Sequence, residues 1–354
     1  MSTWEKNIRK VVPYVPGEQP NIPGMIKLNT NENPYPPSPG VTKALQNIQT
    51  DRLRLYPDPT AKLLTDTLSD YYKVEKDQVF VGVGSDDVLG MAFLTFFNSD
   101  KPILFPDITY SFYDVWAELF SIPYERPKLD QNFRIIKEDY YKENGGVVIA
   151  NPNAPTSIYE DLDTLREIIE HNQDGVVIID EAYIDFGGTS AISLIKEYDN
   201  LLVVQTFSKS RSMAGMRIGY AFGSEKLIRA LNDVKYSYNS YTMNLTSIHL
   251  GVEAVKDKPY FEECTSKIIK TRTRVMYELK ELGFSFPDSK TNFIFATHES
   301  IPAEELYTEL REEKIFVRYF KKPRIDNYLR ITIGTDNEMD ALIKFLKVYI
   351  YNRK

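Results

Sequence analysis

Cysteine is almost missing from this chain: Cys264 is the only one in 354 residues, which excludes an intrachain disulfide and the thiol clusters of structural metal sites. Histidine is equally scarce, and His171, His249 and His298 stand far apart without ligand spacing, so no metal is expected. A surplus of positive charge is also lacking. Lys and Arg total 43 against 50 Asp and Glu, for a net charge of -7 and a pI near 5.3, which argues against nucleic acid or an anionic membrane as partner. No apolar run approaches transmembrane length, and the opening Met1–Lys6 lacks the basic and then apolar pattern of a leader, so the expectation is a cytoplasmic protein acting on small molecules.

What is present is a globular composition, 42% apolar and 26% charged, in a chain long enough for two cores. Prolines crowd the first forty residues, including Pro34, Pro36, Pro37 and Pro39, and favour an extended arm over a helix. Short β-branched runs then alternate with amphipathic stretches. Val79 to Val83, Ile103 to Phe105, Val147 to Ala150, Val176 to Asp180 and Leu201 to Phe207 read as buried strands; helical stripes run through Leu63, Leu64, Leu68 and Tyr71, from Val88 to Phe97, and from Leu165 to Ile169. This rhythm predicts a three-layer α/β/α unit with a mostly parallel sheet. After about residue 255 it changes to a long helix ending at Leu282, strands at Asn292 to Ala296, Ile315 to Arg318 and Tyr328 to Ile333, and a last helix over 337–350. A smaller α+β unit is expected there, giving an arm that joins it over 1–40, a large unit over 41–255 and the small unit over 256–354.

Ligands of open α/β sheets sit beyond the carboxyl ends of strands, so the residues following each buried run belong together. Lys209 follows the run to Phe207, and an amine on an apolar strand end is suited to condense with an aldehyde. Asp180 ends another apolar strand, where a carboxylate is costly unless a cation such as a pyridinium nitrogen meets it. Tyr183, three residues on, is placed to donate to a ring's phenolic oxygen. The turn Gly82 to Asp86, with Gly84 and Ser85, leads from strand to helix and offers backbone N–H groups to a phosphate; Thr206, Ser208 and Arg217 add donors for the same anion. Tyr110 could stack on a planar ring.

These segments resemble the fold type I aminotransferases that depend on pyridoxal 5'-phosphate, and among them the histidinol-phosphate aminotransferase family. The likeness rests on Val12-Pro-Tyr14, Leu28-Asn-Thr-Asn-Glu32, Arg54-Leu-Tyr-Pro-Asp58, Asp180-Glu-Ala-Tyr183, Thr206-Phe-Ser-Lys209, Ala214-Gly-Met-Arg217 and Leu329-Arg-Ile-Thr-Ile-Gly334, in that order over nearly the whole chain. By that resemblance Lys209 carries the cofactor as a Schiff base, Asp180 pairs with the pyridinium, Tyr183 meets the phenolic oxygen, Tyr110 stacks on the ring, and Ser85, Asp86, Ser208 and Arg217 surround the phosphate. Tyr56 would reach the phosphate of a neighbouring subunit, which implies a homodimer with shared active sites. Arg330, with Tyr14 and Arg318, would bind the substrate's carboxylate or phosphate. The family's usual Asn-Pro-Thr-Gly stands here as Ala154-Pro155-Thr156-Ser157, so its asparagine, a donor to the phenolic oxygen, is missing. Either Tyr183 does this alone or Asn153, one residue earlier, takes over.

Singly, each residue has a plainer reading. Lys209 could be a solvated strand-end lysine, Asp180 a helix cap, Tyr183 a core tyrosine and Arg330 half of a surface pair; their ordered spacing is what joins them. Tyr236, Tyr238 and Tyr241 read as interface packing. Gly82 and Gly84 resemble a dinucleotide fingerprint, but Asp87 stands where a third glycine belongs. The expected reaction is a two-step, ping-pong transfer of an amino group from glutamate to a phosphorylated imidazole-bearing carbonyl compound, with Lys209 moving the proton. The alternatives are an aminotransferase for phenylalanine or tyrosine, a lyase that decarboxylates a phosphorylated amino acid, and a cofactor-binding regulator without turnover.

Overall fold

The computed structural model describes residues 3–353. Its main sheet has seven strands in the order Val79–Gly82, Gly219–Gly223, Leu201–Thr206, Val177–Asp180, Gly146–Ala150, Ile103–Leu104 and Tyr124–Glu125. Every pairing is parallel except those made by Gly219–Gly223, which runs against both neighbours. Two reversals restore direction, so Val79–Gly82 ends on the same edge as the parallel strands.

The central strands are buried at every position because both faces are covered, and they are apolar up to the polar residues at their carboxyl ends. Successive side chains point to opposite faces, and the two buried clusters divide accordingly: Val147, Ile149, Val177, Ile179, Leu201 and Val203 pack on one side, and Val148, Ala150, Ile178, Leu202 and Val204 on the other. The helix Lys62–Tyr72 lays Leu64 and Leu68 into the first cluster, while Ser85–Phe96 buries Val88, Leu89, Ala92 and Phe93 in the second.

A third cluster belongs to a four-stranded antiparallel sheet, ordered Arg318–Tyr319, Leu329–Thr332, Phe293–His298 and Phe284–Ser285, packed against the helices Lys258–Glu281, Ala303–Glu312 and Asp336–Tyr351. The N-terminal arm is stitched to it. Ile26–Lys27 pairs in parallel with Ile315–Phe316, and Leu28 bridges two strands, donating its N–H to Phe316 and accepting one from Thr332.

Two expectations need correction. The run Ile315 to Arg318 is not one strand: it breaks at Val317, giving Ile315–Phe316 to the arm and Arg318–Tyr319 to the four-stranded sheet. The long helix expected from about residue 255 to Leu282 is Lys258–Glu281; Asp257, whose carboxylate caps it, separates it from the preceding helix Leu245–Lys256, and Pro259 lies in its first turn. Gly219–Gly223, with glycine at both ends, escaped the apolar pattern although it is wholly buried. There glycine serves close approach: a Cβ on Gly219 would lie 2.2 Å from the carbonyl carbon of Gly84. Gly219→Ala is therefore expected to cost about 1–3 kcal/mol of stability, read by urea unfolding, because backbone rather than a flexible side chain must move.

Candidate functional site

Gly82, Gly219 and Thr206 share one rung of the main sheet, and Asp180 ends the next strand along. At this edge lies a cavity of about 230 Å³ lined by Ser85, Asp86, Tyr110, Asp180, Tyr183, Thr206, Ser208, Lys209 and Arg217, all of them anticipated from sequence. A second cavity of about 260 Å³, holding Tyr14, Arg318 and Arg330, shares Thr30, Tyr110, Tyr183 and Lys209 with the first. Together they have the size of a ligand site. A larger groove of about 580 Å³ runs between the helices Pro39–Gln46 and Leu245–Lys256, but its lining brings no amine and buried carboxylate together around one centre.

Asp180 forms the floor. Its carboxylate accepts from the Tyr113 hydroxyl at 2.7 Å and from the Ala182 N–H at 3.2 Å. Burial raises its pKa to about 6 against these two hydrogen bonds, so its ionised form is favoured only with a cation beside it. Lys209 stands across from it. The Lys209 Nζ donates to the Thr30 carbonyl at 3.3 Å and lies 5.8 Å from the Tyr183 ring centre, while Asn33 holds the lysine's own backbone carbonyl at 3.0 Å.

The cradle for an anion is the start of the helix Ser85–Phe96, preceded by Gly84 at φ 87°. Its first-turn N–H groups have no intrahelical partner, and the helix dipole favours negative charge there. A Cβ on Gly84 would lie 2.4 Å from Arg217 Nη2, so the missing side chain is what lets the guanidinium close over the turn. Arg217 bonds the Asp86 carboxylate at 3.0 Å and reaches the Ser208 hydroxyl at 3.5 Å; the Tyr110 hydroxyl also donates to Asp86, at 2.8 Å. The Asp86 side chain thus orients Arg217 and Tyr110, and toward an anion only its backbone N–H is attractive.

The second cavity is cationic. Arg330 donates to the Asn29 carbonyl at 2.9 Å, its Nε is buried without a hydrogen-bond partner, and its guanidinium lies over Phe293 and Phe320. Burial and the neighbouring Arg318 press its pKa below the usual arginine range. Among the described residues neither arginine pairs with a carboxylate. Tyr14 stacks on Phe112 at 4.2 Å.

Of the anticipated residues Gly84 shapes the turn behind this lining, and two others lie away from it. Asn153 does not face the cavity: its amide donates to the Ile108 carbonyl and the Thr156 hydroxyl and accepts from Thr109, so it is fully engaged in bracing loops and is no substitute for the side chain missing at Ala154. Tyr56 is 82% exposed and packs on Tyr241 with ring centres 4.7 Å apart. Sequence reasoning in turn missed Tyr113, Asn31 and Asn33. The asparagines sit in or beside the Leu28–Glu32 motif, which had been noticed without any role for its polar side chains; Tyr113 carried no signal at all. Among the described residues no group of three or more His, Cys, Asp or Glu could hold a metal, and no helix is long and apolar enough to cross a membrane.

A doubly wound sheet presenting an amine, a buried carboxylate and an anion cradle around one cavity defines an enzyme built for an aldehyde-bearing, phosphorylated cofactor. The chain belongs to the class I and II aminotransferases, whose family model matches residues 23–346. It is 53% identical over 351 residues to a histidinol-phosphate aminotransferase of Clostridium botulinum, covering 99% of both chains, and 51% identical over 352 residues to one of Lactococcus lactis, again covering 99% of each. The same fold occurs in the histidinol-phosphate aminotransferase of Clostridium acetobutylicum (TM-score 0.85, 24% identity, 93% of this chain and 100% of that one). It occurs also in that of Sinorhizobium meliloti in complex with pyridoxal-5'-phosphate (TM-score 0.83, 21% identity, 93% and 92%). The family depends on pyridoxal 5'-phosphate, and the donor set present fits it: a cation-seeking carboxylate, an amine and a glycine-opened anion cradle.

Asp180 yields a test on the cofactor-free protein. Its folded-state pKa lies above the unfolded value of 3.8, so the carboxyl favours folding below that value and loses this advantage as pH rises to about 6. Asp180→Asn should therefore stabilise cofactor-free protein at neutral pH by roughly 2–3 kcal/mol, with the gain vanishing near pH 4, as read from unfolding midpoints.

Proposed function

We propose that this aminotransferase interconverts histidinol phosphate and 2-oxoglutarate with imidazole acetol phosphate and glutamate. The observation that carries the substrate class is the pair of arginines, Arg318 and Arg330, left without carboxylate partners beside Lys209. Glutamate brings carboxylates and histidinol phosphate a phosphate ester, and a guanidinium's planar fork accepts either anion. The names of the relatives in Clostridium botulinum and Lactococcus lactis support the same choice.

In this reading Gly84, Ser85 and Asp86 offer backbone N–H groups to the cofactor phosphate, with Thr206, Ser208 and Arg217 around it. Tyr110 would cover the ring, Asp180 would hold the ring nitrogen protonated, and Tyr183 would meet the phenolic oxygen. The cofactor supplies an electron-withdrawing ring conjugated to an aldehyde carbon. Lys209 would anchor it, and its amine would be the base that holds and moves the proton of the substrate's α-carbon. Arg330, with Tyr14 and Arg318, fixes the substrate anion. The units of the chain are an arm joining the smaller unit over 1–40, a cofactor-binding unit over 41–255 and a C-terminal unit over 256–354; the first core cluster, which runs from Val41 to Val255, supports this division. A cytoplasmic location goes with a biosynthetic activity and a lone cysteine.

Production of glutamate from 2-oxoglutarate with histidinol phosphate as donor tests the reading. Turnover of phenylalanine or tyrosine in its place would favour an aromatic aminotransferase, and carbon dioxide release a lyase. Arg330→Ala should lower kcat/KM for both substrates about 10- to 100-fold, the loss of a charged hydrogen bond; unchanged values would refute its role.

The reading includes a homodimer in which Tyr56 serves the partner's site. Its support is a side chain suited to a phosphate but held away from its own cavity, beside the exposed Leu53, Leu55 and Tyr241. Mixing and re-associating inactive Lys209→Ala with impaired Tyr56→Ala protein should form hybrids that regain activity in one of their two sites. No recovery in verified hybrids would contradict the sharing.

A further inference from the structure

The Tyr183 hydroxyl has one hydrogen-bond partner among the described residues, the Nδ2 of Asn31 at 2.9 Å. Which end of that amide faces the tyrosine is decided by its other contacts. Asn31 Oδ1 accepts from the Thr332 hydroxyl at 3.1 Å, and the same hydroxyl oxygen accepts from the Asn31 backbone N–H at 3.0 Å. Having accepted that N–H, the Thr332 hydroxyl has its own proton free to give to Oδ1. The Asn31 carbonyl in turn receives the Asn292 amide at 2.9 Å. The residue is 1% exposed and sits at φ 57°, a conformation asparagine tolerates better than most. Every polar group of Asn31 is therefore assigned, and an amide nitrogen carries donors only.

A donor aimed at the tyrosine oxygen means that the tyrosine's own proton cannot point back along that line. It must point elsewhere, and the Tyr183 side chain lines both cavities. We propose that Asn31 is a positioning residue that turns the Tyr183 hydroxyl into a one-way donor toward the cavity, with Thr332 locking the amide in the sense that makes this so. This deepens the proposed function and rests on its reading that Tyr183 meets the cofactor's phenolic oxygen. With Ala154 offering no polar side-chain atom to the cavity and Asn153 turned away, the direction of this proton is what the phenolic oxygen depends on.

Aspartate at position 31 keeps the shape and the backbone conformation but reverses the hydrogen bond, since a carboxylate accepts the tyrosine proton. The readout is the pH midpoint of the visible absorbance of bound pyridoxal phosphate. A donor to the phenolic oxygen stabilises its negative charge and lowers the midpoint at which the bound chromophore takes up a proton. Tyr183→Phe should raise the midpoint. Asn31→Asp should raise it about one pH unit more in the Tyr183 protein than in the Tyr183→Phe protein, a roughly tenfold coupling that separates the proton's direction from the mere presence of a new charge. Thr332→Val, which frees the amide to turn over, should give a smaller rise that likewise vanishes in the Tyr183→Phe background, and it serves alone if Asn31→Asp does not fold. Equal shifts in both backgrounds overturn the role of Asn31 while leaving Tyr183 in place. If Tyr183→Phe itself moves nothing, the assignment of Tyr183 fails, and the role of Asn31 falls with it.

Discussion

A carboxylate driven into the apolar end of a central strand is the constraint around which this molecule is arranged. Asp180 has β-strands on both sides, a tyrosine hydroxyl and one backbone N–H for solvation, and burial holds its pKa near 6. Such a group is unfavourable as an anion until a cation meets it, the role that the proposed function gives to a pyridinium ring.

The rest of the site is organised by two sheets of different kinds. The seven-stranded sheet supplies Asp180, Thr206, Lys209 and the Gly84 turn from its carboxyl edge, where parallel strands expose loops. The four-stranded sheet supplies Arg330 and Thr332, two residues apart and hence on one face, while Leu329 and Ile331 enter the core behind them. The arm runs between them. Asn29 takes the Arg330 guanidinium, Thr30 takes the Lys209 amine, Asn31 takes the Tyr183 hydroxyl, and Asn33 takes the Lys209 backbone, so four near-consecutive residues tie the two sheets to one cavity.

Much of this was legible in the order of residues. Strands buried on both faces announce themselves as unbroken apolar runs, and the polar residues that follow them gather at one edge for a purely topological reason. That is why Lys209, Asp180, Tyr183 and Ser85 could be joined before any coordinate. The failures have physical causes as well. Gly219–Gly223 is a strand because its neighbours hydrogen-bond to it and because only glycine clears the Gly84 backbone, neither of which leaves a hydrophobic period. The split at Val317 arises because the arm and Leu329–Thr332 compete for one stretch of chain. Asn153 looked like a spare amide until its loop partners were visible.

What the sequence alone determined is the chemistry on offer: an amine, a carboxylate, an anion-binding turn and two arginines, each at the end of an element whose type its neighbours dictate. Only the tertiary structure decided how those groups are oriented and which of them are free. Hydrogen-bond direction depends on partners hundreds of positions away, as Asn31 and Thr332 are. A one-dimensional pattern records which donors exist, whereas three-dimensional packing settles toward what they point.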